Sequence, residues 1–209
     1  MPTPEEILVG LGEIANNWRL LATIWHGYFA VLVLALILGV RPSKRIVGLI
    51  LTLPIFSVGV LAWLSTNPFN GAIFSLAGIM LLLVSIRMPM EKICVAPLWA
   101  VFIGAVMFAF GWTYPHFLET ESFILYLFSA PTGLIPCPTL SIVIGLSIIL
   151  GSFDNRAWSF VLAVTGVFYS VYGATLLGVT LDWILLIGAL TIIFTVFKET
   201  KPNQSNATV

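Results

Sequence analysis

Long apolar runs separated by short polar breaks dominate the chain. A helix needs about 20 apolar residues to cross the hydrocarbon core of a bilayer. Runs of this kind cover Trp18–Val40, Ile46–Thr66, Gly71–Ile86, Ile93–Trp112, Thr139–Leu150, Ala157–Leu177 and Asp182–Phe197. They predict an all-α polytopic bundle of seven spans, with a fifth that is too short. The breaks carry turn chemistry: Arg41-Pro42-Ser43, Asn67-Pro68-Phe69-Asn70, Arg87-Met88-Pro89 and Asp154-Asn155-Arg156. Ahead of the first span, Thr3-Pro4-Glu5-Glu6 reads as a capping box with proline at the first helical position. Ile7, Leu11, Ile14 and Trp18 then recur on one helical face. Residues 1–17 are therefore expected to form an amphipathic helix lying on the outer membrane interface, as an anchor. The alternative is a lid or docking helix. Glu5, Glu6 and Glu13 stand where a signal peptide would be basic.

Composition turns these runs into a membrane protein. Nine Lys or Arg and nine Asp or Glu are the only charged residues among 209, and 59 % are hydrophobic. Mean hydropathy is +1.07, whereas a soluble domain is usually about 25 % charged. A soluble fold of this size would have to expose a mostly apolar surface. A formal net charge of zero leaves no basic face for nucleic acid. The bilayer is the expected partner, with another membrane protein or a second copy as further candidates.

The basic residues orient the bundle. Arg41, Lys44 and Arg45 follow span one, Arg87 and Lys92 follow span three, Arg156 follows span five, and Lys198 and Lys201 follow span seven. Alternate loops hold no Lys or Arg, and only Arg19 dissents. The expected topology has an outer N-terminus, an inner C-terminus and a cytoplasmic tail at 198–209. The sequons Asn203-Gln204-Ser205 and Asn206-Ala207-Thr208 fall on the inner face and are read as unused.

Polar residues inside the spans are few. Asp182 and Arg19 are expected at span ends within reach of water, and no buried ion pair is foreseen. That argues against a proton-driven or ion-driven machine. His26, in Trp25-His26-Gly27-Tyr28, is the ionisable group deepest in a span. It reads either as a solute contact or as an imidazole bonded to a neighbouring helix, the second being the commoner role. Pro54 should kink span two.

Residues 113–138 form an outer loop of unusual make-up. His116, Glu119 and Glu121 precede a short apolar stretch, Ser122–Ala130, expected as a half-helix. Pro131-Thr132-Gly133 and Pro136-Cys137-Pro138-Thr139 then lead into span five, which as helix covers about 18 Å of a core near 30 Å. Irregular backbone at that depth needs protein or water to cover it, and a helix start near Thr139 would aim a positive dipole end at the space. His26, Pro54, His116, Pro136, Cys137, Pro138 and Thr139 are therefore the candidate cavity residues.

Cys137 beside proline is similar to the Cys-Pro elements of soft-metal transport ATPases, yet the chain has no nucleotide domain. Cys137, His116 and His26, with Met107, are weak candidates for a soft-metal site, because their spacing matches no ligand motif. Two cysteines, Cys94 and Cys137, make no disulfide framework. No nucleophile motif, phosphate loop or zinc helix occurs, so neither enzyme nor cofactor is expected. Gly166, Ser170, Gly173 and Ala174 suit close helix packing.

Two resemblances follow from short motifs. LALILG at Leu34–Gly39 and LSIILG at Leu146–Gly151 are similar to the three-one-three repeat layout of the SWEET sugar transporters. The proline-glutamine motif of that family is missing, and Pro54 has no counterpart in span six. The acidic Pro4-Glu5-Glu6 helix running to Asn17-Trp18, and Pro136-Cys137-Pro138-Thr139 followed by Leu146, resemble a bacterial polytopic membrane-protein family of unassigned function, DUF family 6064. That resemblance implies a multi-pass protein of a prokaryotic inner membrane and assigns no activity or residue role. The leading expectation is a small-solute channel or carrier. An accessory, assembly or sensor subunit is the alternative, and a soft-metal-binding membrane protein ranks third.

Overall fold

The computed structural model describes residues 3–65 and 67–198. Residues 199–209, with both sequons, lie outside them. Among the described residues the fold is all-helical, and an isolated antiparallel bridge pairs Ser43 with Lys92. Four helices are long and apolar enough to cross a membrane: α2 (Arg19–Ile37), α3 (Lys44–Leu64), α4 (Pro68–Arg87) and Arg156–Leu176. The last consists of α8 (Arg156–Val171) and a π-wound continuation, Tyr172–Leu176. Three apolar helices are shorter: α5 (Leu98–Thr113), α7 (Pro136–Ile149) and α9 (Trp183–Lys198). At the N-terminus α1 spans Pro4–Asn17, and α6 is a single turn, Tyr126–Ser129.

The central element is α7. Its fourteen residues make a helix of about 21 Å, and all but Cys137 and Ile149 are buried. Neighbours α3, α5, α8 and α9 surround it, which is why it reads as apolar on every face. Gly104 and Gly145 let α5 and α7 meet backbone to backbone. A Cβ on Gly104 would stand 2.5 Å from the Gly145 carbonyl oxygen, and one on Gly145 2.6 Å from that of Gly104.

Three sequence expectations are corrected. Span four starts as helix only at Leu98, because Pro89 and Pro97 hold the preceding segment extended. Span five starts at Pro136 rather than Thr139. Proline suits a first helical turn, whose amide hydrogens have no intrahelical partner. The irregular backbone therefore lies at 130–135, ahead of Cys137. Thr132 Oγ1 donates to the Gly111 carbonyl (2.7 Å), and the Gly133 amide donates to Thr139 Oγ1 (2.8 Å). Buried protein partners thus replace water along this break. Pro54 sits inside α3, which continues as one helix to Leu64.

The amphipathic α1 forms with its capping box. Thr3 Oγ1 accepts from the Glu6 amide and Glu6 Oε2 from the Thr3 amide. Its apolar stripe, Ile7, Leu11 and Ile14, is covered by protein rather than left to lipid. It packs on Leu61, Tyr114, Leu134, Ile135 and Val179. Asn16 secures it to the 114–122 loop, donating to the Phe117 carbonyl (2.8 Å) and accepting from the Glu119 amide (2.9 Å).

At the opposite end three polar loops meet. The Lys44 amide donates to the Glu91 carbonyl, and the Ile93 amide to that of Pro42. Lys44 Nζ lies 2.7 Å from Asp154 Oδ2 and 3.3 Å from Glu91 Oε2. Lys44 is buried, although both carboxylates are solvated, so this pair lies at the loop end and not within a span. The chain turn that brings Asp154 into place is left-handed, with positive φ at Ser152, Phe153 and Asp154. Phe153 is wedged edge-on against Trp158 to hold it.

Candidate functional site

Asp182 overturns the reading that placed it in water. It is 2 % exposed and lies in a short 3-10 turn, Thr180–Asp182, that feeds α9. The turn is fixed by its own backbone. The Asp182 amide donates to the Val179 carbonyl (3.0 Å), and Ser170 Oγ of α8 donates to the Asp182 carbonyl (2.8 Å). The carboxylate is thereby pointed inward, toward the first turn of α7.

Two donors meet it, one on each oxygen. Tyr114 Oη donates to Oδ1 at 2.7 Å, and Cys137 Sγ donates to Oδ2 at 3.0 Å. Burial and the neighbouring acidic groups push the Tyr114 phenol well above its usual range, so it stays a donor. The α7 N-terminus adds its positive dipole end on the same side. No Lys, Arg or His side chain forms an ion pair with Asp182 among the described residues.

A cavity of about 20 Å³ adjoins the carboxylate, with Leu11 and Phe117 above and Asn70, Tyr169, Tyr172 and Gly173 at its sides. Asn70 is 2 % exposed, and its Oδ1 accepts from Tyr169 Oη at 2.9 Å. Gly173, the second residue of the π-wound turn, presses directly on the carboxylate, so a Cβ there would collide with Asp182 Oδ2. The wider winding lets α8 pass this point, and such turns recur at functional sites.

The sequence-predicted residues divide sharply. Pro136 and Cys137 line the cavity. Pro138 and Thr139 shape the helix start beneath it, Thr139 by accepting from Gly133 and donating to the Ile135 carbonyl. His26 lies elsewhere, its ring nitrogens 2.8 Å from the Ala22 carbonyl and 3.0 Å from the Trp112 carbonyl, joining α2 to α5. His116 packs edge-on against Phe117, and partial burial lowers its pKa. Pro54 is buried within α3. Among the described residues no polar passage joins Cys137 to Pro54, so the candidate residues do not line one continuous cavity. Buried Leu51, Ile55, Val58, Leu140 and Val143 occupy the core. Among the described residues no three His, Cys, Asp or Glu side chains gather as a metal site, and both cysteines are free.

Tyr114, Asn70, Tyr169 and Asp182 escaped the sequence reading. The available signal was Asp182 itself, the one carboxylate at the margin of an apolar run. The aromatic and amide partners come from three other segments, so spacing could not have joined them.

A second concavity lies on the flank of the bundle. A groove of about 1060 Å³ runs along α8 beside Ile193, lined by Phe160, Ala163, Val164, Val167 and Phe168. No family model, curated protein or solved structure matches the chain.

Proposed function

We propose that the protein is a seven-span carrier for a small solute in a prokaryotic inner membrane. The N-terminus lies outside, and the site sits beneath α1 at the outer end. In this reading the shorter helices α5, α7 and α9 cross the membrane together with α2, α3, α4 and α8. The three basic loops gathered at the end opposite α1 support that orientation through the positive-inside rule. Likeness to DUF family 6064 through Pro136-Cys137-Pro138-Thr139 belongs to the same proposal.

One observation carries the reading: a buried carboxylate faces a small roofed cavity at a helix start. Polar groups inside a membrane protein are costly and mark solute or ion pathways. With the core packed below, access to the site runs through displacement of α1, whose Leu11 forms the roof. The working state described here is thus the closed one.

Access is measured with a membrane-impermeant thiol reagent applied from outside to a Cys94→Ser protein, so that Cys137 is the sole target. Slow labelling is expected, accelerating about tenfold or more in Leu11→Ala. That factor corresponds to about 1.4 kcal/mol of roof packing. Failure of Cys137 to react in either protein would sink the carrier reading.

The groove along α8 favours a second reading, a subunit that packs against a partner helix. Val164→Cys, half exposed on that groove, would then cross-link to one defined neighbour in native membranes. Diffuse labelling by lipid alone would remove this reading.

A further inference from the structure

The carboxylate of Asp182 is buried without a positive partner. A buried charge is compensated or it is expelled, since desolvation costs several kcal/mol. Every compensating group visible around it is a neutral dipole: the Tyr114 hydroxyl, the Cys137 thiol and the start of α7. No positive side chain among the described residues pairs with it.

A proton is the smallest candidate, and the bonding pattern disfavours it. Each carboxylate oxygen already accepts a hydrogen, from Tyr114 on one side and Cys137 on the other. Neither donor has another acceptor among the described residues. Protonating Oδ2 would require the Cys137 sulfur to turn from donor to acceptor and leave its hydrogen without an acceptor among the described residues. With Asp182 ionised, both donors keep the partners they have.

Beside that ionised group lies a cavity of about 20 Å³, room for one particle the size of water. Its lining includes Asn70 and Tyr169, joined by the Tyr169 Oη bond to Asn70 Oδ1, and the aromatic residues Tyr172 and Phe117. These suit a small cation. The only sulfur, Cys137, points its hydrogen at Asp182 and is a donor there.

We infer that the cavity between Asp182, Asn70 and Tyr169 is a binding site for one water-sized monovalent cation, of the sodium, potassium or ammonium class. The site rests on the chamber assigned above but needs no transport to exist. Bound cation completes the charge balance of Asp182 and sits under Leu11, so occupancy also holds α1 down.

The test uses the full chain purified in detergent. Thermal unfolding is followed at constant pH and ionic strength in sodium, potassium, ammonium and choline chlorides. Choline is too large for the cavity and serves as the reference. At saturation, one or more of the small cations should raise the midpoint by about 5 °C or more over choline. Asp182→Asn should lose the difference while unfolding no earlier than wild type in choline, and Asn70→Ala should weaken it. Equal midpoints in all four salts for the wild-type protein overturn the inference whatever the variants do. So does a shift that persists in Asp182→Asn, or one produced by lowering the pH in choline alone. Flux of the same cations into proteoliposomes is measured separately. Binding without flux leaves this site standing and shows that the cation is not the carried solute, whereas flux without the midpoint shift overturns the site and leaves the carrier reading in place.

Discussion

The two ends of the bundle handle buried charge in opposite ways. At the loop end, Lys44 is enclosed but faces Asp154 and Glu91, whose carboxylates remain in water. At the α1 end, Asp182 is enclosed and faces only neutral donors. The first arrangement is complete within the chain and behaves as a clasp among three loops. The second holds no positive side chain among the described residues, and its balance is assigned to the proposed bound cation. On the reading proposed above, the contrast is between a structural polar group and a binding group.

The largest test removes the frame both ends share. Gly145→Leu forces a side chain into the backbone contact between α5 and α7, at a cost of about 3 kcal/mol or more. The yield of monodisperse protein should collapse, with both ends lost together. If the variant purifies normally, the close contact between these helices is not what holds the bundle.

Gly173→Ala is confined to the α1 end. Its methyl group meets the Asp182 carboxylate, and an expected loss of about 1–3 kcal/mol should appear as a lower thermal midpoint. Double substitution with Asp182→Ala should recover part of that loss by vacating the space. No recovery would place the strain elsewhere.

Asp182→Asn should move stability the other way. Removing a buried charge that lacks a partner raises stability in choline by about 1 kcal/mol, even though one donor loses its acceptor. Stability gained at the expense of a binding property is the mark of a site. A clear loss of stability would mean that the neutral donors alone suffice for the carboxylate, and the contrast between the ends would fade.

Lys44→Met should do least. Its partners are solvated and need no rescue, so about 0.5–1 kcal/mol is expected, shrinking further in high salt. A loss as large as that of Gly173→Ala would show that the clasp carries more of the fold than its exposure suggests.

Much of this architecture was legible in the residues. The apolar runs locate every large helix, and Thr3-Pro4-Glu5-Glu6 marks the start of α1 to the residue. Turn chemistry at Asn67-Pro68 and Asp154-Asn155-Arg156 marks the starts of α4 and α8, where Asn67 and Asn155 serve as side-chain caps. The site was half legible. Two prolines around Cys137 flagged a break in the fifth run, because proline carries a local backbone signature. Asp182 carried no such signature: burial is decided by what packs over a residue, and here that is α1, Tyr114 and Gly173 from distant segments. Hydropathy could not say what covers the stripe of α1. A stripe of Ile7, Leu11 and Ile14 looks the same whether lipid or protein covers it.

The shortness and all-round burial of α7 bear on how the chain is made. A segment of fourteen residues, opened by Pro136 and Pro138, is a poor substrate for independent insertion into a bilayer. Its enclosing surfaces come partly from α3 and α5, already synthesised, and partly from α8 and α9, still to come. On the proposed seven-span reading, the fifth segment is therefore expected to be held only on its α3 and α5 sides until α8 and α9 follow. Assembly would then be completed from the C-terminal side, with the carboxylate of Asp182 reaching Cys137 in that last step.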